Sequence, residues 1–193
     1  MFSLAGKVVV ITGGAGHLGS AIARGMAQQG GRVVVASRHP AKHQALCQEL
    51  GPQSLSVVLD IASLESVTSC FEQVEQALGG VDILINAAQR SRSVSSADMD
   101  PVAWNDALAG GVSGTFWCCQ AAQRTMQMRG GGSIVNVSSI LAHRSPLPKA
   151  DGDALAAPAS NYVTNKAAVL GLTRFLAVEW ARWGIRLNAV GPG

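Results

Sequence analysis

Tyr162 and Lys166 stand four residues apart in SNYVTNKAAVLG, residues 160–171. On a helix, positions i and i+4 lie one above the other, so phenol and ammonium can meet. A neighbouring ammonium favours the phenolate and draws a tyrosine down from its free value of about 10, toward the range where it serves as a general acid or base. Alone the pair is a weak signal, because the same spacing recurs on solvated helix faces. The rest of the chain has to decide between chemistry and surface decoration.

A second group of residues has the types needed to hold phosphate. VVVITGGAGHLGSAIA places Gly13, Gly14, Gly16 and Gly19 between an apolar strand and a helix. Gly14, Gly16 and Gly19 fit G-x-G-x-x-G in the strand–turn–helix context that the pattern requires. Glycines permit the tight turn and the close approach of backbone to a pyrophosphate. The helix start, with His17 and Leu18, then offers free N–H groups and the positive end of a dipole. An NAD site calls for a carboxylate about 20 residues further on. That place holds Ser37 and Arg38, with no acid from Arg32 to Gln48. Arg38 can pair a 2′-phosphate bidentately, Ser37 can donate a hydrogen bond, and His39 and Lys42 add positive potential. These residues select NADP(H), with NAD the second choice.

The elements that must position these groups follow from periodicity. Continuous Val/Ile runs at 7–13, 32–38, 54–60, 81–88, 132–139 and 184–190 read as strands buried on both faces, the mark of a parallel sheet. Helices are expected over 18–30, 40–50, 63–78, 101–109, 112–129 and 160–183. Strict alternation of the two implies right-handed crossovers and an α/β fold, a doubly wound parallel sheet (Rossmann fold) in three α/β/α layers. The one long irregular piece, residues 140–160, carries His143, Arg144 and Lys149. It reads equally as a wall of the substrate site or as a surface insertion.

The 193 residues suit a single domain, 48% hydrophobic and only 14% charged. A formal charge of +3 without a basic stripe argues against a nucleic-acid partner. No apolar stretch reaches membrane-spanning length. Cys47, Cys70, Cys118 and Cys119 lack metal-ligand spacing; as buried free thiols on helices they fit a reducing, cytoplasmic setting.

Taken together, the residues resemble the short-chain dehydrogenase/reductase family in its single-domain form, from ITGGAGHLG to GIRLNAVGPG. By that resemblance Tyr162 of YVTNK is the proton donor or acceptor, and Lys166 tunes it and holds the nicotinamide ribose. IVNVSS resembles the strand bearing the family's catalytic serine, by position Ser139, which would polarise the substrate oxygen. VLDIAS implies adenine contacts at Asp60 and Ile61. ILINAAQ implies cofactor contacts at Asn86, Ala87 and Ala88, and NAVGPG implies them at Pro192 and Gly193. The implied activity is an NADP(H)-dependent oxidoreductase interconverting a secondary alcohol and a ketone. The implied assembly is a homodimer or homotetramer, and apolar residues on more than one face of helices 112–129 and 160–183 place the interface there.

Three departures from the family pattern stand out. His17 occupies a place that is usually glycine, giving the spacing of the family's larger extended members, where epimerases and dehydratases occur. Gly111 stands where the family has a fourth catalytic residue, an asparagine thought to hold a relay water. With Gly110 it also places two glycines in an expected helix, at about 1 kcal/mol each. The chain stops at Gly193, before the family's substrate lid and seventh strand, leaving 184–190 as an apolar sheet edge. A catalytically impaired NADP(H)-binding scaffold is therefore the alternative reading. It expects Gly111→Asn to raise the rate.

Overall fold

The computed structural model describes residues 3–90, 94–144 and 160–193. Six parallel strands, β1 (Val8–Thr12), β2 (Arg32–Ser37), β3 (Leu55–Val58), β4 (Ile83–Asn86), β5 (Gly132–Val137) and β6 (Ile185–Val190), form one sheet in the order β3-β2-β1-β4-β5-β6. The chain winds outward from β1 to β3, then returns to the other side of β1 with β4. That reversal opens a crevice at the carboxyl ends of β1 and β4, where doubly wound folds take their ligands.

Adjacent strand residues point to opposite faces, so a fully apolar strand feeds two cores. Val8 and Val10 pack with Leu84, Ile134 and Ile185 on one face. Val9 and Ile11 pack with Val33, Val35 and Ile85 on the other. The first core is closed by α3 (Leu64–Leu78), α5 (Gly114–Met128) and α6 (Ser160–Trp180). The second is closed by α1 (His17–Gln28) and α2 (Pro40–Leu50). Cys70, Cys118 and Cys119 lie wholly inside the first core, where burial pushes the Cys70 and Cys119 thiols up to about 12 and leaves them inert.

The structure departs from the expected elements in three places. No break separates the helices at 101–109 and 112–129: α4 (Pro101–Leu108) continues through a π-helical turn at Ala109–Ser113 into α5. Both Gly110 and Gly111 lie in that turn rather than in an α-helical interior. The edge strand β6 is not uniformly apolar. It buries Ile185 and Leu187 and turns Arg186, Asn188 and Val190 outward, and outward-facing polar side chains of this kind blunt an edge. The expected apolar excess on the long helices narrows as well. Trp180 is core and Phe116 packs tilted against Trp117 with ring centroids 5.0 Å apart, leaving Phe175 (66% exposed) and Val178 (81%) in solvent. Of the 140–160 segment, residues 145–159, Lys149 among them, lie outside the described residues; His143 and Arg144 are exposed.

The amino ends of the strands are tied by Asp82, 8% exposed. Its carboxylate accepts from the Val8 N–H at 2.9 Å, from Arg129 Nη2 at 3.1 and 3.2 Å, and from Lys7 Nζ at 3.4 Å. Burial pushes this carboxyl up, but the Val8 N–H, Arg129 and Lys7 outweigh it and hold the group below its ordinary value. A depressed folded-state value means that the contribution is present above the unfolded value of about 3.9 and is lost as pH falls through the folded one. Asp82→Ala orphans a buried N–H and breaks a half-exposed ion cluster, at an expected cost of about 2 kcal/mol. Urea unfolding at pH 7 and pH 3 tests this. The deficit should shrink at the lower pH, and an equal deficit at both would show that the charge is irrelevant.

Candidate active site

The glycine turn is built by close contact. Gly13 has φ 66°, and a Cβ there would sit 2.8 Å from Ala88 Cα. A Cβ on Gly19 would overlap the Gly13 carbonyl, and one on Gly14 would lie 2.9 Å from the Ile11 carbonyl. Only glycine lets α1 start this close to β1. Gly16 is the N-cap of α1 with no side-chain cap, and the first turn holds no acid. Its N–H groups are therefore available to an anion.

Beside this turn lies a cavity of about 300 Å³, lined in part by Gly13, Gly16, Ser37, Arg38, Asp60 and Ile61. Ser37 Oγ is buried without a hydrogen-bond partner among the described residues. Arg38, His39 and Lys42 are exposed at the rim, and no ion pair neutralises them among the described residues. Asp60 is held by its own turn, Oδ1 accepting the Ala62 N–H at 3.0 Å, and pairs with Arg90 at 3.6 Å.

A second cavity, about 430 Å³, is lined in part by Leu18, Ser139, Tyr162, Lys166, Pro192 and Gly193. Ala87 and Gln89 border both cavities, and Ala88 borders the first, so the two form one crevice along the carboxyl ends of β1, β4 and β5. The two serines at the end of β5 have different duties. Ser138 Oγ donates to the Lys166 carbonyl at 2.8 Å and is spent on structure. Ser139 Oγ accepts the Leu141 N–H at 3.2 Å, which leaves its proton free to donate.

Lys166 is 6% exposed. Its ammonium donates to the Val137 carbonyl at 2.7 Å and lies 5.5 Å from the centroid of the Tyr162 ring. No carboxylate pairs with it among the described residues, and burial pulls it down to about 8. A desolvated cation without a counter-charge is suited to an incoming anion or hydroxyl.

Four candidates do not line the crevice as expected. The Asn86 side chain turns into the core instead, its Nδ2 donating to Asn136 Oδ1 at 2.9 Å, so its duty is to the sheet. His17 is exposed at the start of α1, and its ring borders neither cavity. Gly14 and Gly19 likewise act through packing. Conversely, Gln89 and Arg90 line the crevice without having been singled out. Their position after β4 is the only signal they carry in sequence. Gly111 is also explained: a Cβ there would overlap the carboxamide of Asn165 on α6. Gly111→Asn is therefore a clash, not the repair that the scaffold reading expects.

The comparisons agree with this architecture. The chain is 35% identical to a galactitol 2-dehydrogenase (L-tagatose-forming) of Cereibacter sphaeroides, over 100% of its own length and 73% of the relative's. It is 33% identical to a D-threitol dehydrogenase of Mycolicibacterium smegmatis, over 99% and 71%. A solved short-chain type dehydrogenase/reductase from Mycobacterium marinum superposes with a TM-score of 0.91 at 33% identity, covering 100% of this chain and 76% of that one. The short chain dehydrogenase family matches residues 7–193. With its sheet order, glycine turn and Tyr-x-x-x-Lys helix in one crevice, the chain belongs to the short-chain dehydrogenase family of oxidoreductases.

Proposed function

We propose that the protein interconverts a secondary alcohol and a ketone with NADP(H), and that its substrates are polyols. The observation that carries this reading is the single crevice holding the glycine turn at one end and Ser139, Tyr162 and Lys166 at the other. The polyol class is supported by the galactitol and threitol relatives. The uncapped start of α1, the Gly13 and Gly19 contacts and the unpartnered Ser37 hydroxyl fit a dinucleotide phosphate. When bound, the dinucleotide supplies the hydride chemistry. Gly13 to Gly19 would hold its pyrophosphate, and Ser37 and Arg38 its 2′-phosphate.

The chain's own work is on the proton. Ser139 donates to the substrate oxygen and orients it. Tyr162 takes the hydroxyl proton in oxidation or returns it in reduction. Lys166, a buried cation at neutral pH, stabilises negative charge as it develops on the phenol. Exposed Phe175 and Val178 on α6, with Val102 on α4, support a homodimer through these helices. No helix among the described residues is long and apolar enough to cross a membrane. The free thiols of Cys70, Cys118 and Cys119 support a reducing, cytoplasmic setting.

Titration with NADPH and NADH, read by nicotinamide fluorescence, tests the cofactor. NADPH is expected to bind at least about tenfold tighter, an advantage of about 1.4 kcal/mol. Arg38→Ala should remove most of that advantage and leave NADH unchanged. Equal weakening of both cofactors would show that Arg38 does not read the 2′-phosphate. Reduction of NADP by a panel of polyols then tests the substrate class.

A further inference from the structure

The π turn at Ala109–Ser113 is gripped by side chains from two other elements. On one side Arg90 lies against Gly110, where a Cβ would overlap its side chain, and the Arg90 N–H donates to the Gly110 carbonyl at 3.1 Å. On the other side Asn165, 0% exposed, reaches in from α6. Its Nδ2 donates to the Ala107 carbonyl at 2.9 Å, and its Oδ1 accepts the Val112 N–H at 3.0 Å. Positions 111 and 165 thus share one volume, which only a glycine on the turn leaves to the asparagine. A carboxamide suits this task because it offers one donor edge and one acceptor edge, the complement of a peptide group. Alanine satisfies neither backbone group.

We propose that Asn165 is a positioning residue of the proton relay, locking the first turns of α6, and with them Tyr162 and Lys166, against the π turn. This rests on the oxidoreductase reading above. Tyr162 lies one turn before Asn165 and Lys166 directly after it, so any slide or roll of α6 at this point moves both. Other ties on these turns are few among the described residues. Asn161 Nδ2 reaches the Met99 sulfur at 3.6 Å, a weak acceptor, and Asn161 Oδ1 has no partner. Ser138 holds the Lys166 carbonyl and the Lys166 ammonium donates to the Val137 carbonyl, so both of these ties run to the end of β5 and neither reaches the π turn. A displacement of about 1 Å at a reacting group can lower a rate about 10²-fold. Asn165 supplies the attachment to the π turn itself.

Tyr162 is the only tyrosine in the sequence, so the phenolate absorbance of the whole chain reports this residue without turnover. The experiment compares Asn165→Ala with the parent in polyol oxidation, NADPH binding and phenolate titration. Asn165→Ala is expected to lower kcat about tenfold or more with little change in KM, and to keep NADPH affinity within about twofold. It is also expected to move the pH at which the phenolate band appears by about half a unit or more. Adding Gly111→Asn to Asn165→Ala returns a carboxamide to the shared volume and should recover part of kcat, whereas Gly111→Asn alone should lower the melting temperature. Parental kcat together with an unmoved phenolate band in Asn165→Ala would overturn the proposal. If the parent itself turns over no alcohol, the oxidoreductase reading fails and the phenolate band decides alone: a shift sustains the positioning role, and none refutes it. Should the alanine variant not fold, Asn165→Ser is read by the same measurements.

Discussion

Tyr162→Phe is expected to lower kcat by about 10²- to 10⁴-fold, the range for removing a positioned general acid or base, while leaving the NADPH dissociation constant within about twofold. The substitution deletes one hydroxyl from a half-buried ring whose Oη makes no hydrogen bond among the described residues. Folding should therefore be spared and the loss confined to the proton step. Ser139 and Lys166 stay in place, so whatever rate survives comes from substrate orientation and charge stabilisation alone. Single-turnover oxidation with saturating NADP separates this loss from binding. A variant that keeps its parental rate would remove Tyr162 from the relay and return the Tyr-x-x-x-Lys spacing to coincidence. The oxidoreductase membership of the family would stand, but the mechanism would need another acid.

Lys166→Met is expected to abolish turnover and yet to make the protein more stable at neutral pH. Burial lowers the lysine from 10.5 to about 8, a difference of two to three units, or about 3 kcal/mol spent on holding the charge in the folded state below pH 8. The sign follows from proton uptake. Between the folded and unfolded values the unfolded chain holds a proton that the folded one has released, so stability rises with pH across that window and falls as pH drops toward 8. Methionine has no charge to desolvate, but it strips the Val137 carbonyl of its donor at 2.7 Å, a loss of about 1–2 kcal/mol. The charge term wins at pH 7, leaving a net gain of about 1 kcal/mol. Above about pH 10 the charge term vanishes, and only the lost hydrogen bond remains. Urea unfolding of both proteins at pH 7 and pH 10 should show the order of stability reversing. A constant difference would mean that the lysine is not held in the folded state against its solvation. If Lys166 serves the proposed reaction, stability given up there is the expected trade-off for a group kept ready for an anionic partner.

Much of the fold was legible because its signals are local. Each Val/Ile run named a strand, and all six appear, with ends at most two residues inside the runs, although the outermost strand β3 is not buried on both faces and leaves Val58 exposed. Gly13 to Gly19 announced the tight turn between β1 and α1, since their close approach admits no Cβ at Gly13, Gly14 or Gly19. Ser139 was separable from Ser138 by likeness to the family. That the Asn86 carboxamide turns into the core was not legible, because strand position places a residue beside the crevice but does not say to which face its side chain turns. Gln89 and Arg90 were missed because a polar pair after a strand reads as ordinary loop.

What the sequence determined by itself was the α/β order, the glycine turn and the Tyr-x-x-x-Lys spacing, all set by residues within one turn or one strand of each other. What only the tertiary structure decided was how distant segments divide a shared space. Gly111 in a helical stretch looks like a defect until α6 is packed against it. Then position 111 must be empty, because Asn165 fills the same volume and closes the backbone of a π turn from 53 residues away in the chain. Packing at interior density admits one side chain there, and which helix supplies it is settled only by the two helices meeting.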